Sequence, residues 1–206
     1  AMLPVFCRDY GLRGVWMAVF HSISAFCNAG FDIFGGGQSM VPYTDNIYLN
    51  IITCVLIFFG GIGFLVIQEL WQKKCQWKKL SMHTKVVLSV SLALIIIGTL
   101  LIKLTEPVSW LCALFHSVST RTAGFASRPI GDFGAPALLV MIVLMFIGAS
   151  SGSTGGGIKT STFFVLIRGI FSAATNQSEK AFHYSIPKDA FKKAAVISIL
   201  AAGVVI

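Results

Sequence analysis

Two short stretches of this chain carry residues arranged for chemistry, and they repeat each other. Residues 20–31 read F-H-S-I-S-A-F-C-N-A-G-F, and residues 115–125 read F-H-S-V-S-T-R-T-A-G-F. Both share F-H-S-(Ile/Val)-S at one end and A-G-F at the other, with one residue of slack between. The chemistry on offer is that of backbone oxygens. Gly30 and Gly124 permit backbone angles barred to other residues, so successive carbonyls can point the same way. A short helix aiming its C-terminal end at the same place adds negative potential. Carbonyls under that potential suit a dehydrated alkali cation. Asn28, Ala29, Gly30 and Phe31, then Thr122, Ala123, Gly124 and Phe125, therefore read as two segments of one carbonyl-lined ring. The plainer alternative is a helix end closed by a glycine. Recurrence of the whole pattern in the same topological position favours the ring.

A third stretch, G-S-T-G-G-G-I-K-T-S-T at residues 152–162, invites a different reading. A phosphate loop needs Gly-Lys-Ser/Thr contiguous, between a strand and a helix. Here Ile158 separates Gly157 from Lys159, and the stretch interrupts an apolar run. A nucleotide-binding membrane protein would also need metal-binding acids beside the loop, and none cluster there. The small residues Gly148, Ala149, Ser150, Ser151, Gly152, Ser153, Thr154, Gly155, Gly156 and Gly157 hold a helix poorly. A movable break in a spanning helix fits them better, its hydroxyls satisfying freed backbone groups. The competing explanation is a kink where helices pack closely through small residues.

The elements that would position these stretches are membrane helices. The 206 residues are 55% hydrophobic and 12% charged, against roughly 25% charged in soluble domains, and mean hydropathy is +0.81. Residues 47–67 form an uncharged run long enough for one uninterrupted span, and residues 86–104 form a second. A third run covers residues 135–147 and 158–171, split by the glycine stretch, and a fourth begins at residue 194. None alternates with period two, which argues against a barrel. The net charge of +8 is concentrated in two connections. One holds Lys73, Lys74, Lys78, Lys79 and Lys85; the other holds Arg168, Lys180, Lys188, Lys192 and Lys193. Charge placed this way sets membrane orientation rather than a nucleic-acid groove, and puts both connections in the cytoplasm. The two A-G-F stretches then share the outer side. Five cysteines, scattered and never in C-x-x-C spacing, point to neither zinc nor a disulfide framework. Both chain ends look cut, the last inside an apolar run.

Several single residues carry weaker expectations. Arg121, three residues before Gly124, would repel cations if it faced the ring; it is expected behind the segment as scaffold, paired with Glu106 or Asp132. His21 and His116 occupy equivalent positions and read as packing and hydrogen-bonding residues rather than metal ligands. Asp32 is either an attractor of cations at the mouth or a solvated loop acid. Phe31 and Phe125 are expected to pack away from the axis. Lys159 is a candidate contact for anionic lipid, a partner or the ion path, unless it only marks the inner half of its helix.

Together the F-H-S…A-G-F pairs, S-T-R-T-A-G-F and G-A-S-S-G-S-T-G-G-G-I-K-T resemble the Ktr/Trk/HKT superfamily of potassium transporters, most of all KtrB-type membrane subunits. The resemblance covers nearly the whole chain. It implies an all-α membrane protein of pseudo-repeated helix–pore helix–helix units around a central ion pore, multi-pass in the cell membrane. Residues 1–67 would hold a pore helix, filter and second helix of repeat two. A cytoplasmic basic connection follows at 68–85, a complete repeat at 86–171, a second connection at 172–193, and the start of the next repeat at 194–206. The first and fourth filter segments of such a protein are absent here. The family reading makes the glycine-rich stretch a gating loop beneath the filter. It implies potassium as transported ion, sodium as a possible coupling ion, and no covalently bound cofactor. It further implies no enzymatic chemistry, a homodimer on a cytoplasmic ring of nucleotide-binding regulatory subunits, contact with membrane lipids, and no nucleic acid. A homotetrameric channel is the main rival; the two unlike filters and the missing T-V-G-Y-G weigh against it.

Overall fold

The computed structural model describes residues 2–175, 180–181, 184–185 and 188–205. The helices are α1 (Leu3–Tyr10), α2 (Arg13–Phe26), α3 (Ile47–Ile62), α4 (Phe64–Gln72), α5 (Met82–Thr105), α6 (Trp110–Ser119), α7 (Ala135–Phe146), α8 (Thr160–Thr175) and α9 (Lys188–Val205). Among the described residues the sole β structure is one antiparallel pair of two-residue strands, β1 (Lys180–Ala181) and β2 (Tyr184–Ser185). The fold is all-α. In the second connection, residues 176–179, 182–183 and 186–187 lie outside the described residues, and so do the side chains of Lys180 and Lys188.

Helix lengths follow from apolar run and cap. α5 has 24 residues, about 36 Å at 1.5 Å per residue, enough for a hydrocarbon layer of about 30 Å. It starts at Met82, four residues before the apolar run, because Ser81 caps it: the Ser81 hydroxyl accepts from the Thr84 amide. α2 and α6, which carry the repeated F-H-S motif, have 14 and 10 residues, about 21 and 15 Å, too short to cross. Outward faces are apolar. Leu92, Ile96, Ile97, Leu100, Leu101 and Leu104 on α5 are exposed, as are Leu139, Ile142, Val143 and Met145 on α7. Stripes of this size suit hydrocarbon and not water.

The expected single span over residues 47–67 does not form. α3 stops at Ile62, and the chain turns by 94° into α4. Gly63 makes the turn with φ +87°, and a side chain there would press on the Ser151 and Gly152 backbone. Among the described residues α5 is long and apolar enough to cross a membrane by itself, whereas α3 and α4 are so only as this bent pair.

The two repeats share one core. Phe6, Met17, Leu49 and Ile57 from the first pack with Phe115, Val118 and Phe125 from the second. Beyond the two A-G-F turns the repeats are also stitched by backbone: the Met40 amide donates to the Ala126 carbonyl (3.0 Å) and the Ala126 amide to the Ser39 hydroxyl (2.9 Å).

Candidate functional site

The two A-G-F segments adopt the same backbone. Asn28 and Thr122 have φ of 51° and 70°, Gly30 and Gly124 have 70° and 83°, and the alanines between keep negative φ. Alternating hand gathers successive N–H groups on one side of the strand and leaves the carbonyls on the other. Each turn is pinned by its helix in the same way. The Ala29 amide donates to the Ser24 carbonyl and the Ala123 amide to the Ser119 carbonyl, both at 2.9 Å. The Ser24 hydroxyl donates to the Phe31 carbonyl at 2.8 Å, and the Ser119 hydroxyl donates to the Phe125 carbonyl. These bonds turn the Phe31 and Phe125 oxygens toward the short helices. The carbonyls of residues 28–30 and 122–124 accept no hydrogen bond from any described residue. The second serine of each motif was the legible but unused signal for this arrangement.

The turns meet at their glycines. A Cβ on Gly30 would lie 2.5 Å from the Ala123 oxygen and 2.9 Å from the Gly124 Cα. Backbone touches backbone there, which only glycine at position 30 permits.

Residues 147–159 form a closed loop directly against the two turns. Its neck is glycine: a Cβ on Gly148 would overlap the Gly156 carbonyl at 1.8 Å. The Ala149 amide donates to Gly156, and the Ile158 amide to Phe146. From that neck the loop reaches the first turn, where the Asn28 amide nitrogen donates to the Thr154 hydroxyl oxygen at 3.1 Å. It also reaches the second, where the Gly156 amide donates to the Thr122 hydroxyl at 3.0 Å. Its other side caps α3. The Ser150 amide donates to the Gly61 carbonyl, the Ser150 hydroxyl to Ile62, and the Thr154 amide to Gly60. In return the Phe64 amide, first in α4, donates to the Gly152 carbonyl. Helix ends leave carbonyls and amides without partners, and here a distant loop supplies them. That is why α3 breaks where it does.

Arg121 has no carboxylate partner among the described residues. Its guanidinium, 8% exposed, donates to the Ser91 carbonyl and hydroxyl on α5 and to the Gly148 carbonyl at the loop neck, at 3.3–3.4 Å. Of the candidate acids, the Glu106 carboxylate accepts from the Gly134 amide, while Asp132 sits on the outer turn at residues 130–132. A residue on a short turn reaches carbonyls more readily than acids on outer loops. Arg121 is scaffold of another kind, a bolt between turn, helix and loop.

The remaining residues fall into place. Asp32 accepts from the Phe34 and Ser39 amides, so its carboxylate orders its own loop. His21 donates from Nδ1 to the Met17 carbonyl and stacks on Phe34 at 4.2 Å, while His116 meets Phe133 edge-on at 4.7 Å. Phe125 packs in the core at 3% exposure, but Phe31 is 69% exposed. Lys159 donates to the Gly155 carbonyl at 2.8 Å, its ammonium engaged within the loop.

The family model for the TrkH cation transport proteins matches residues 5–106 and 80–206. The chain belongs to the TrkH family. Among its TrkH-family relatives is the Ktr system potassium uptake protein B of Vibrio alginolyticus, 45% identical over 168 residues covering 74% of this chain and 36% of that protein. The potassium/sodium uptake protein NtpJ of Enterococcus hirae is 36% identical, covering 81% of this chain and 39% of its own length. The Bacillus subtilis Ktr system potassium uptake protein B is 32% identical over 90% of this chain and 44% of its own. The chain thus spans well under half the length of these relatives. The crystal structure of the potassium transporter TrkH from Vibrio parahaemolyticus shares the fold, with a TM-score of 0.70 at 22% identity, covering 95% of this chain and 45% of that one. Membership of a family of membrane cation transporters agrees with the apolar outer faces and gives the chain a membrane location.

Proposed function

We propose that this chain supplies part of the permeation path of a potassium uptake protein, multi-pass in the cell membrane, with no covalent chemistry of its own. The observation that carries the reading is the matched pair of left-handed turns whose carbonyls at residues 28–30 and 122–124 have no hydrogen-bond donor among the described residues. Unpaired backbone oxygen at membrane depth is tolerated where it lines a wet path or meets ions, and carbonyls replace the hydration shell of an alkali cation. The printed names of the relatives, potassium uptake and potassium/sodium uptake, support potassium as cargo and sodium as its coupling ion. The glycine loop against the turns is the gate. Two turns enclose half of a fourfold ring, so filter segments beyond these complete it. The basic connections near Lys73–Lys79 and Lys192–Lys193 face the cytoplasm, where a ring of nucleotide-binding regulatory subunits docks on a homodimer.

Rubidium uptake by uptake-deficient bacteria expressing the full-length parent tests this, with and without Gly124→Ser. Position 124 sits at φ +83°, so a serine strains the turn. The parent restores uptake, and the variant loses preference for potassium over sodium. Indistinguishable behaviour of parent and variant sinks the filter assignment.

A further inference from the structure

The residues that open the two turns do more than supply a carbonyl. Asn28 and Thr122 stand at equivalent places, both left-handed, and both send side chains to the loop at residues 147–159. The Asn28 amide donates to the Thr154 hydroxyl oxygen. That hydroxyl's own hydrogen has the Phe26 and Gly60 carbonyls in reach, at 3.2 and 3.3 Å, so its oxygen is the acceptor and the amide orientation is fixed by the network. Thr122 accepts the Gly156 amide. Between the two side chains sits Gly155. A Cβ there would fall 2.6 Å from the Thr122 oxygen and 3.4 Å from the Asn28 nitrogen. Both side chains therefore converge on one glycine at the crest of the loop.

The backbone adds a second, independent sign. Asparagine tolerates the left-handed region, but a β-branched threonine there is an outlier. Strain of this kind persists where the surroundings over-determine it, and it gathers at switches and clamps. A glycine at position 122 would make the same turn without strain, yet would lose the hydroxyl that holds the loop.

We propose that Asn28 and Thr122 are a latch: positioning residues that hold the glycine loop shut against the filter through Thr154 and the Gly156 amide. This rests on the transport reading above and names how the gate is kept closed in that reading. It also makes the gate answer to the filter, because any shift in either turn moves a latch residue.

The test is rubidium efflux from membrane vesicles holding the full-length parent, Thr122→Val, Thr154→Val and the double variant, with potassium-over-sodium preference measured alongside. Each valine keeps the shape and removes a hydroxyl. Losing one hydrogen bond of ordinary net strength raises basal flux about fivefold, and both together about 25-fold if they act independently. Ion preference is retained in Thr154→Val, which lies outside the turns, and Thr122→Ser, which keeps the hydroxyl, stays well below Thr122→Val in basal flux. A conducting parent whose variants show unchanged or lower flux, at equal amounts in the membrane, overturns the latch and leaves the transport reading standing. A Thr154→Val variant that conducts more but loses preference overturns it too, because the contact then shapes the filter instead of holding the loop. A parent that carries no rubidium overturns the transport reading and the latch with it.

Discussion

The two copies of the F-H-S…A-G-F motif share a backbone but not a support. In the second copy the residue before the turn is Arg121, buried and bolted to Ser91 on α5 and to Gly148 at the loop neck. In the first copy the same place holds Cys27, exposed and without comparable ties. The second copy buries its phenylalanine, Phe125; the first leaves Phe31 exposed. One turn is thus fixed to the scaffold, and the other rests on its neighbour and on the loop. Repetition in sequence preserved the left-handed backbone of both turns, while the divergent residues decided which turn is the fixed one.

The largest expected effect attacks the place where the copies touch. Gly30→Ala puts a methyl 2.5 Å from the Ala123 carbonyl at a left-handed position, combining overpacking and strain of about 1–3 kcal/mol each. Gly124→Ala meets nothing closer than 3.4 Å and pays only the strain. Gly30→Ala should abolish uptake by the full-length parent and lower its melting temperature well beyond Gly124→Ala. Equal losses at both sites would mean that the contact at Gly30 contributes nothing.

Next in size is the bolt. Arg121→Lys keeps the charge but loses the planar fork, leaving Ser91 or Gly148 without its donor, a loss of about 1.5–3 kcal/mol for hydrogen bonds to a charged group. Cys27→Ala, at the matching position, should change stability by less than about 0.5 kcal/mol. Thermal unfolding of the purified parent compares the two, and similar shifts would refute the asymmetry.

The smallest effect lies away from both copies, where Glu69 on α4 accepts from Lys73, from the Ser81 amide and hydroxyl, and from Thr84. Partial burial pushes its pKa up, but the Lys73, Ser81 and Thr84 hydrogen bonds together outweigh this and bring it down to about 2. A carboxylate with a depressed folded pKa stabilises above its unfolded value near 4.5, and that contribution fades as pH falls toward 2. Glu69→Gln should lower the melting temperature slightly at pH 7, with the gap to the parent closing between about pH 4.5 and 2. A gap that stays constant over that range would mean that the charge is irrelevant to the network.

Much of this was legible in the sequence because the signals were local. The repeated motif named both turns and their glycines, the apolar runs named α5 and the halves around the loop, and the glycine stretch named the break between α7 and α8. The break at Gly63 was not legible. The run F-F-G-G-I-G-F is apolar throughout, and what ends α3 is a set of donors from residues 150–154, far along the chain. Arg121's partners were hidden for a similar reason. Charge pattern points to acids, whereas the actual acceptors are a serine and a carbonyl that only packing brings near.

The capping of α3 by the loop has a thermodynamic consequence. With the loop in place, the carbonyls of Gly60, Gly61 and Ile62 are paired by Ser150 and Thr154. Were the loop to leave, those oxygens would stand bare among apolar neighbours such as Phe58 and Val66, an arrangement that costs several kcal/mol unless new donors arrive. Among the described residues the donors to these carbonyls come from the loop, so water is the ready replacement when it moves. Moving the loop and wetting the space it leaves against the two turns are then one event, so hydration there is also what releases the loop.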